Sequence, residues 1–277
     1  MNYICLNGQI VDGDQPWLQV DNRGFRYGDG FFETIRVIAR RIPLFSLHMD
    51  RFFSTSLALG YSHQLGATQL EQDVLALCLA NDCAQAARVR LTAFRGNGHL
   101  HTGDDQLQYI IEAEPLSPVV TSLNRKGLQV DIYPHARKAI DAISSFKTAN
   151  FLPYALAARF AKQNQWDDAL VLNTAGRVAD ATIANVFTFK NNDIFTPPLS
   201  EAGVNGVMRR WLIDELSAAG IPVHEVPLTI VDLKGADELF LSNAISGIKW
   251  VERMGDKMYV NLKTEHIYNS FITKLWS

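Results

Sequence analysis

The sequence predicts an α+β protein in two domains. Ala87–Phe94 alternates apolar and polar residues with the period of a half-buried strand. Leu47–Leu59 and Thr68–Asn81 instead carry apolar residues at helical spacing. Pro115–Thr121, rich in Pro and Ser, reads as a linker, and a chain of 277 residues exceeds the usual size of one domain. The expected division is a smaller N-terminal α/β domain over 1–115, a linker over 116–122 and a larger C-terminal domain over 123–277.

Met1–Val11 reads as two short strands joined at Asn7-Gly8, a dipeptide suited to a tight hairpin turn. Phe31–Ile38 follows as a strand ending in a turn at Arg40-Arg41, and Gly60 stops the first long helix. Within Ala87–Phe94, Val89, Leu91 and Ala93 share one face, and Arg88, Arg90 and Thr92 the other. The loop Arg95–Gly103, with glycines, two histidines and an arginine, is either a lip over a site or a plain turn before a strand at Leu107–Ala113. Beyond the linker come a strand at Leu128–Tyr133 and a helix at Phe151–Asn164, with Leu152, Leu156 and Phe160 stacked on one side. Strands are expected at Ala169–Asn173, Ala184–Lys190 and Ile194–Pro197. The helix Val207–Ala219 turns Val207, Trp211, Leu212 and Leu216 inward, and Gly220 and Pro222 stop it. Glu238–Ser242 is the last expected strand.

An apolar fraction of 47% with 20% charged residues is enough to bury a sizeable core. The net charge of -3 provides no basic footprint for nucleic acid and no polybasic surface for a membrane. With no long apolar run, cleavable signal or lipidation motif, a cytoplasmic protein is expected. Cys5, Cys78 and Cys83 are scattered, so reduced, buried thiols are expected rather than disulfides. No metal is expected, because a zinc site would need more ligands than these cysteines and the dispersed histidines supply.

Four features point to chemistry. Lys147, in Ile143-Ser-Ser-Phe-Lys147-Thr-Ala-Asn150, sits among small and apolar neighbours, where an amine can lose its proton and attack a carbonyl. Gly203-Val-Asn-Gly206 precedes a helix, so backbone N–H groups there can approach an anion, or the glycines simply begin a helix that binds nothing. Arg51, in His48-Met-Asp-Arg51, presents a fork of donors to a phosphate, or else forms a surface salt bridge. Asp180 is suited to holding a protonated ring nitrogen, or is simply a turn residue.

In combination these segments resemble the class IV, or fold type IV, pyridoxal-phosphate enzymes. The likeness runs from Ile4 to about Val251. It is carried by Asp21-Asn-Arg-Gly-Phe-Arg-Tyr-Gly-Asp-Gly30 with Phe31-Phe-Glu-Thr34, His48-Met-Asp-Arg51, Lys147-Thr-Ala-Asn150, Asp180-Ala-Thr-Ile-Ala-Asn185, Gly203-Val-Asn-Gly-Val-Met-Arg209 and Ala236-Asp-Glu-Leu-Phe-Leu-Ser-Asn-Ala244. The resemblance implies a small N-terminal α/β domain, a larger β-barrel-like C-terminal domain with helices that carries Lys147, and a homodimer. It further implies that Lys147 joins covalently to pyridoxal 5′-phosphate and moves protons. Arg51, Gly206, Val207, Met208, Asn243 and Ala244 would surround the cofactor, and Asp180 would face the pyridine nitrogen. Most relatives have Glu where this chain has Asp180, so the reach to the ring is one methylene shorter.

The same resemblance leaves three reactions open: branched-chain aminotransfer, D-amino-acid aminotransfer, and lysis of 4-amino-4-deoxychorismate to 4-aminobenzoate and pyruvate. Gly203-Val-Asn-Gly-Val-Met-Arg209 and Ser242-Asn243-Ala244 look like the lyase versions of their segments, and so does Arg95-Gly-Asn-Gly98. Phe32-Glu33-Thr34 looks like the aminotransferase version, and His99 and His101 keep that alternative open. Lyase is therefore the first expectation and aminotransferase the second, with a catalytically silent paralogue as a third. Arg95, Glu33 and His99 are the candidate substrate contacts. Glu33 shares a face with Phe31, Ile35 and Val37, so it is either paired inside the core or lines the site.

Overall fold

The computed structural model describes residues 2–103 and 105–276. They form two compact units, one of residues up to Val120 together with Phe146–Asn150, the other of Thr121–Ser145 and the chain from Phe151 onward.

The first unit is an antiparallel sheet with helices. β1 (Tyr3–Leu6) and β2 (Gln9–Asp12) form a hairpin in which Asn7 and Gly8 both take positive φ, the conformation that a two-residue turn needs. The short α1 (Arg23–Tyr27), absent from the expected elements, is capped by the Asn22 side chain. Then come β3 (Gly30–Ile38), α2 (Phe45–Ala58), α3 (Ala67–Ala80), β4 (Ala86–Arg95) and β5 (Leu107–Pro115), with strand order β2-β1-β5-β4-β3. The alternation in β4 works as expected: Val89, Leu91 and Ala93 are buried with Phe31, Ile35 and Val37 of β3, in one core with Met49 and Phe52 of α2 and Val74 and Leu77 of α3.

Lys147 was expected within the C-terminal domain, but its segment groups with this first unit. The Phe32 N–H donates to the Lys147 carbonyl over 2.9 Å, and the Ala149 N–H to the Gly30 carbonyl over 2.8 Å. The physical reason is that β3 ends the sheet, and its outer edge has backbone groups that need partners.

The second unit is built on a mixed sheet curled into a half-barrel. Its elements are β6 (Leu128–Ile132), α4 (Leu152–Gln163), β7 (Asp168–Leu172), β8 (Val178–Ala181), β9 (Asn185–Lys190), β10 (Asp193–Thr196), α5 (Val207–Ala218), β11 (Val223–Glu225), α6 (Ile230–Lys234), β12 (Glu238–Asn243), β13 (Gly247–Met254) and β14 (Lys257–Met258), followed by α7 (Leu262–Ile267) and α8 (Thr273–Trp276). The strand order is β11-β10-β9-β12-β13-β6-β7-β8, with β14 on β13.

Two sequence expectations fail here for identifiable reasons. α4 buries Tyr154, Ala157 and Ala161, whereas Leu152 and Leu156 are exposed. Small alanines let the helix approach β7 closely, so the contact stripe is not the one with the largest residues. β12 is also not the last strand, since β13 pairs with it from Leu239↔Val251 to Asn243↔Gly247. A register shift between Val251 and Arg253 breaks the alternation that would have marked β13. The three cysteines are free and buried. Among the described residues no helix is long and apolar enough to cross a membrane.

In the first unit, Glu33 interrupts the apolar row of β3 and is fully buried. Arg51 of α2 donates to it through Nε over 2.7 Å and again through Nη2, and His48 Nδ1 lies 2.7 Å from its Oε2. Burial alone would raise the Glu33 carboxyl, but the Arg51 charge and the hydrogen bonds from Arg51 and His48 outweigh it and hold the group at about 2. A depressed carboxylate stabilises the fold above its unfolded value and loses that contribution as pH falls through the folded one. The window here runs from about 4.5 down to about 2, worth about 3 kcal/mol. Glu33→Gln is expected to cost about 3–5 kcal/mol at neutral pH, because it leaves the Arg51 guanidinium buried opposite a neutral group. In urea titrations across this acid range, the wild type should lose stability more steeply than the variant; parallel pH profiles would reject the assignment.

Candidate active site

In the first unit the candidate amine stands beside an aromatic ring. Lys147 is half-buried, with Nζ 4.5 Å from the centroid of the Phe32 ring, and Arg90 covers the same ring at 3.7 Å. The pairing of Phe146–Asn150 with β3 holds the Lys147 backbone in place. Burial pushes the His48 imidazole below its ordinary value, with Arg51 and Lys147 acting in the same direction and Glu33 against it. A neutral His48 facing an ionised Glu33 donates from Nδ1. Its buried Nε2 then carries a lone pair without a hydrogen-bond partner among the described residues.

Arg51 is therefore not a surface residue. Its Nε and Nη2 are directed at Glu33, which makes it a core cation first. The same geometry answers the question raised by Glu33: it is fully buried and paired with Arg51 and His48 inside the core. Arg95, the other candidate for a substrate carboxylate, is also committed. Its Nη1 donates to Asp29 over 2.7 Å, its Nε to Asp105 over 2.9 Å, and its Nη2 to the carbonyls of Leu59 and Gly60. An arginine with all three nitrogens engaged positions its own loop and has little left for a ligand. The His99 side chain is exposed, while its carbonyl accepts from Thr102 and Gly103 to close the turn.

In the second unit the centre is Asp180, which lies in β8 rather than in a turn and is 2% exposed. Its Oδ2 accepts from Tyr154 Oη over 2.7 Å and from the Val204 N–H over 2.8 Å, and its Oδ1 from Asn185 Nδ2 over 2.9 Å. Lys138 Nζ stands 3.6 Å from Oδ2. Burial pushes the Asp180 carboxyl above the usual carboxylate range, against the Lys138 charge and these hydrogen bonds. Tyr154, driven well above its ordinary value by burial and by Asp180, stays neutral and can only donate to the carboxylate.

The glycine turn is tied to the same carboxylate. Asn185 also donates to the Val204 carbonyl over 2.8 Å, and the Asn205 N–H donates to Ser145. A Cβ at Gly206 would collide with Asn185 Oδ1, so only glycine fits there. Gly206 starts α5 without a capping side chain, so no side chain caps the first-turn N–H groups, Val207 and Met208 included. Ser242, opposite Asn185 in the β9–β12 ladder, has a buried hydroxyl with no hydrogen-bond partner among the described residues. Beyond it, Asn243 Oδ1 accepts from the Ile245 and Ser246 N–H groups, which shapes the turn around Ala244. A cradle that admits no Cβ, an uncapped helix start and an orphan hydroxyl fit a phosphate. A buried carboxylate with a lone pair to spare on Oδ1 fits a protonated ring nitrogen.

Lys138, Tyr154 and Asn185 carry much of this arrangement, yet none of them is among the expected site residues. Lys138 lies in a loop next to Arg137 with nothing local to mark it, and Tyr154 reads as one more aromatic on a helix. Asn185 did stand within a quoted motif, so a signal for it existed.

Comparison with known proteins shows the family to which the chain belongs. The family described as amino-transferase class IV matches residues 30–253. The putative branched-chain-amino-acid aminotransferase of Methanocaldococcus jannaschii is 31% identical over 251 residues, covering 88% of this chain and 85% of that protein. The aminodeoxychorismate lyase of Vibrio harveyi is 25% identical over 235 residues, covering 84% of this chain and 86% of that protein. The crystal structure of the Escherichia coli branched-chain amino acid aminotransferase superposes with a TM-score of 0.89 at 22% identity, covering 98% of this chain and 93% of that one. This chain belongs to the amino-transferase class IV family and is one of its pyridoxal 5′-phosphate-dependent enzymes.

Proposed function

We propose that this enzyme is a 4-amino-4-deoxychorismate lyase, releasing pyruvate and 4-aminobenzoate, and that it works as a homodimer. The observation that carries the choice is the end of β12, where Ser242-Asn243-Ala244 puts a methyl group where aminotransferases of the family commonly place a threonine. The segment Gly203-Val-Asn-Gly-Val-Met-Arg209 supports the same reading, as does the likeness to the Vibrio harveyi lyase. The engagement of Arg95 with Asp29 and Asp105 removes it as a carboxylate contact for either reaction, so it does not separate them.

In this reading Lys147 holds the cofactor until substrate arrives, and its freed amine then takes the proton from the amine-bearing carbon. Bound pyridoxal 5′-phosphate supplies the ring that accepts the electron pair this proton leaves behind. Asp180 keeps the proton on the ring nitrogen, and Asn185 and Tyr154 keep Asp180 in place. The Val207 and Met208 N–H groups and Arg51 hold the phosphate. Loss of the enolpyruvyl oxygen leaves an aromatic ring, so the reaction needs mainly one base, one electron acceptor and cations for the two substrate carboxylates. Aminotransfer begins with the same proton removal, and the 31% identity to the Methanocaldococcus jannaschii protein favours it as the second reading.

Incubation with aminodeoxychorismate is expected to yield pyruvate and 4-aminobenzoate, and Lys147→Ala should abolish both. Amino acids of either hand with 2-oxoglutarate are expected to yield nothing; a keto-acid product there would move the assignment to aminotransferase. Asp180→Asn is expected to retain cofactor but lower kcat on the order of 10²-fold, since it removes a charge aimed at the reacting system. Unchanged turnover would dismiss the ring-nitrogen role. Gly206→Ala should weaken cofactor affinity by about tenfold or more, read by fluorescence titration, because Asn185 must move to admit the methyl group.

A further inference from the structure

Lys138 has no assigned role, yet its placement is specific. Its N–H donates to the Leu172 carbonyl over 2.9 Å, and its carbonyl accepts from Thr174 over 3.0 Å, so the backbone at this point is fixed beside the end of β7. On β7 the next pair is Val171↔Asp180, which brings the Lys138 side chain to the carboxylate. Nζ is buried with no hydrogen-bond partner among the described residues. What faces it is Asp180 Oδ2 at 3.6 Å, the Tyr154 ring with its centroid at 5.2 Å, and, more remotely, the charge of Asp141 on its own loop. A buried ammonium with donors to spare is costly to keep unless a charge beside it depends on it.

The two oxygens of Asp180 are unequally loaded. Among the described residues, Oδ2 meets Tyr154, Val204 and Lys138, whereas Oδ1 meets Asn185 alone. A carboxylate oxygen has two lone pairs, so Oδ2 is filled and Oδ1 has room for one more donor. We propose that Lys138 is a positioning residue: its ammonium holds Asp180 anionic and occupies the Oδ2 side, leaving Oδ1 as the oxygen offered to the protonated pyridine nitrogen. The last clause rests on the proposed role of Asp180; the ion pair does not. Burial pushes Asp180 up and Lys138 down, and each is the largest charge opposing that drift in the other. Without Lys138 the carboxyl would keep its proton, and a protonated Asp180 gives a ring nitrogen no counter-charge.

The test uses the full-length chain labelled with ¹³C-carboxyl aspartate, freed of cofactor and then reconstituted. In the cofactor-free protein at neutral pH, infrared difference spectra should show the carbonyl stretch of a protonated carboxyl in Lys138→Met. That band should be absent from wild type and Lys138→Arg, and lost again in the double variant Lys138→Met with Asp180→Asn. Lys138→Gln carries the same expectation and serves if Lys138→Met does not fold. After reconstitution, kcat should fall by about tenfold or more with KM little changed, and Lys138→Arg should restore most of it. Absence of the band in both neutral variants overturns the ion-pair claim whatever the cofactor does. A band with unchanged kcat overturns the step from ion pair to ring nitrogen. Borohydride labelling of Lys147 in the same samples reports the cofactor reading separately.

Discussion

A carboxylate sealed from water stays ionised only if enough donors surround it, and Asp180 imposes that requirement on much of the second unit. Tyr154 from α4, Asn185 from β9 and the Val204 N–H before α5 converge on its two oxygens, and Lys138 adds a charge. These groups come from four different stretches of chain, so one buried charge ties a helix, two strands and the glycine turn into a single polar network. The turn that fits a phosphate and the acid that fits a ring nitrogen are thus parts of one construction.

The first unit solves a similar problem with a different partner. Glu33 sits among apolar residues on β3, and Arg51 and His48 reach it from α2. The arginine that the family motif associates with phosphate is therefore also a structural cation, and its guanidinium plane is set by the core. Arg95 illustrates the opposite outcome, with every nitrogen used to hold its loop against Asp29, Asp105 and the end of α2.

Much of the local architecture could be read from residue order. The hairpin at Asn7-Gly8, the helices ending near Gly60 and Asn81, and the alternating strand at Val89–Ala93 all appear where their periodicity puts them. Reading failed where the signal was not local. The buried stripe of α4 consists of Tyr154 and two alanines, because closeness to β7 mattered more than side-chain size. The strand β13 was invisible because an irregularity in its pairing disturbs the alternation.

By itself the sequence determined the chemistry on offer: a lysine in apolar company, a glycine turn before a helix, an acid flanked by alanines, and motifs in the order of one family. Tertiary structure alone decided which groups those residues meet. It sent Glu33 to Arg51 and His48, withdrew Arg95 into its own loop, attached the Lys147 segment to the edge of β3, and brought Lys138 to Asp180 across β7. The reason is that charge pairing and burial act between residues far apart in the chain, and neither leaves a trace in residue spacing.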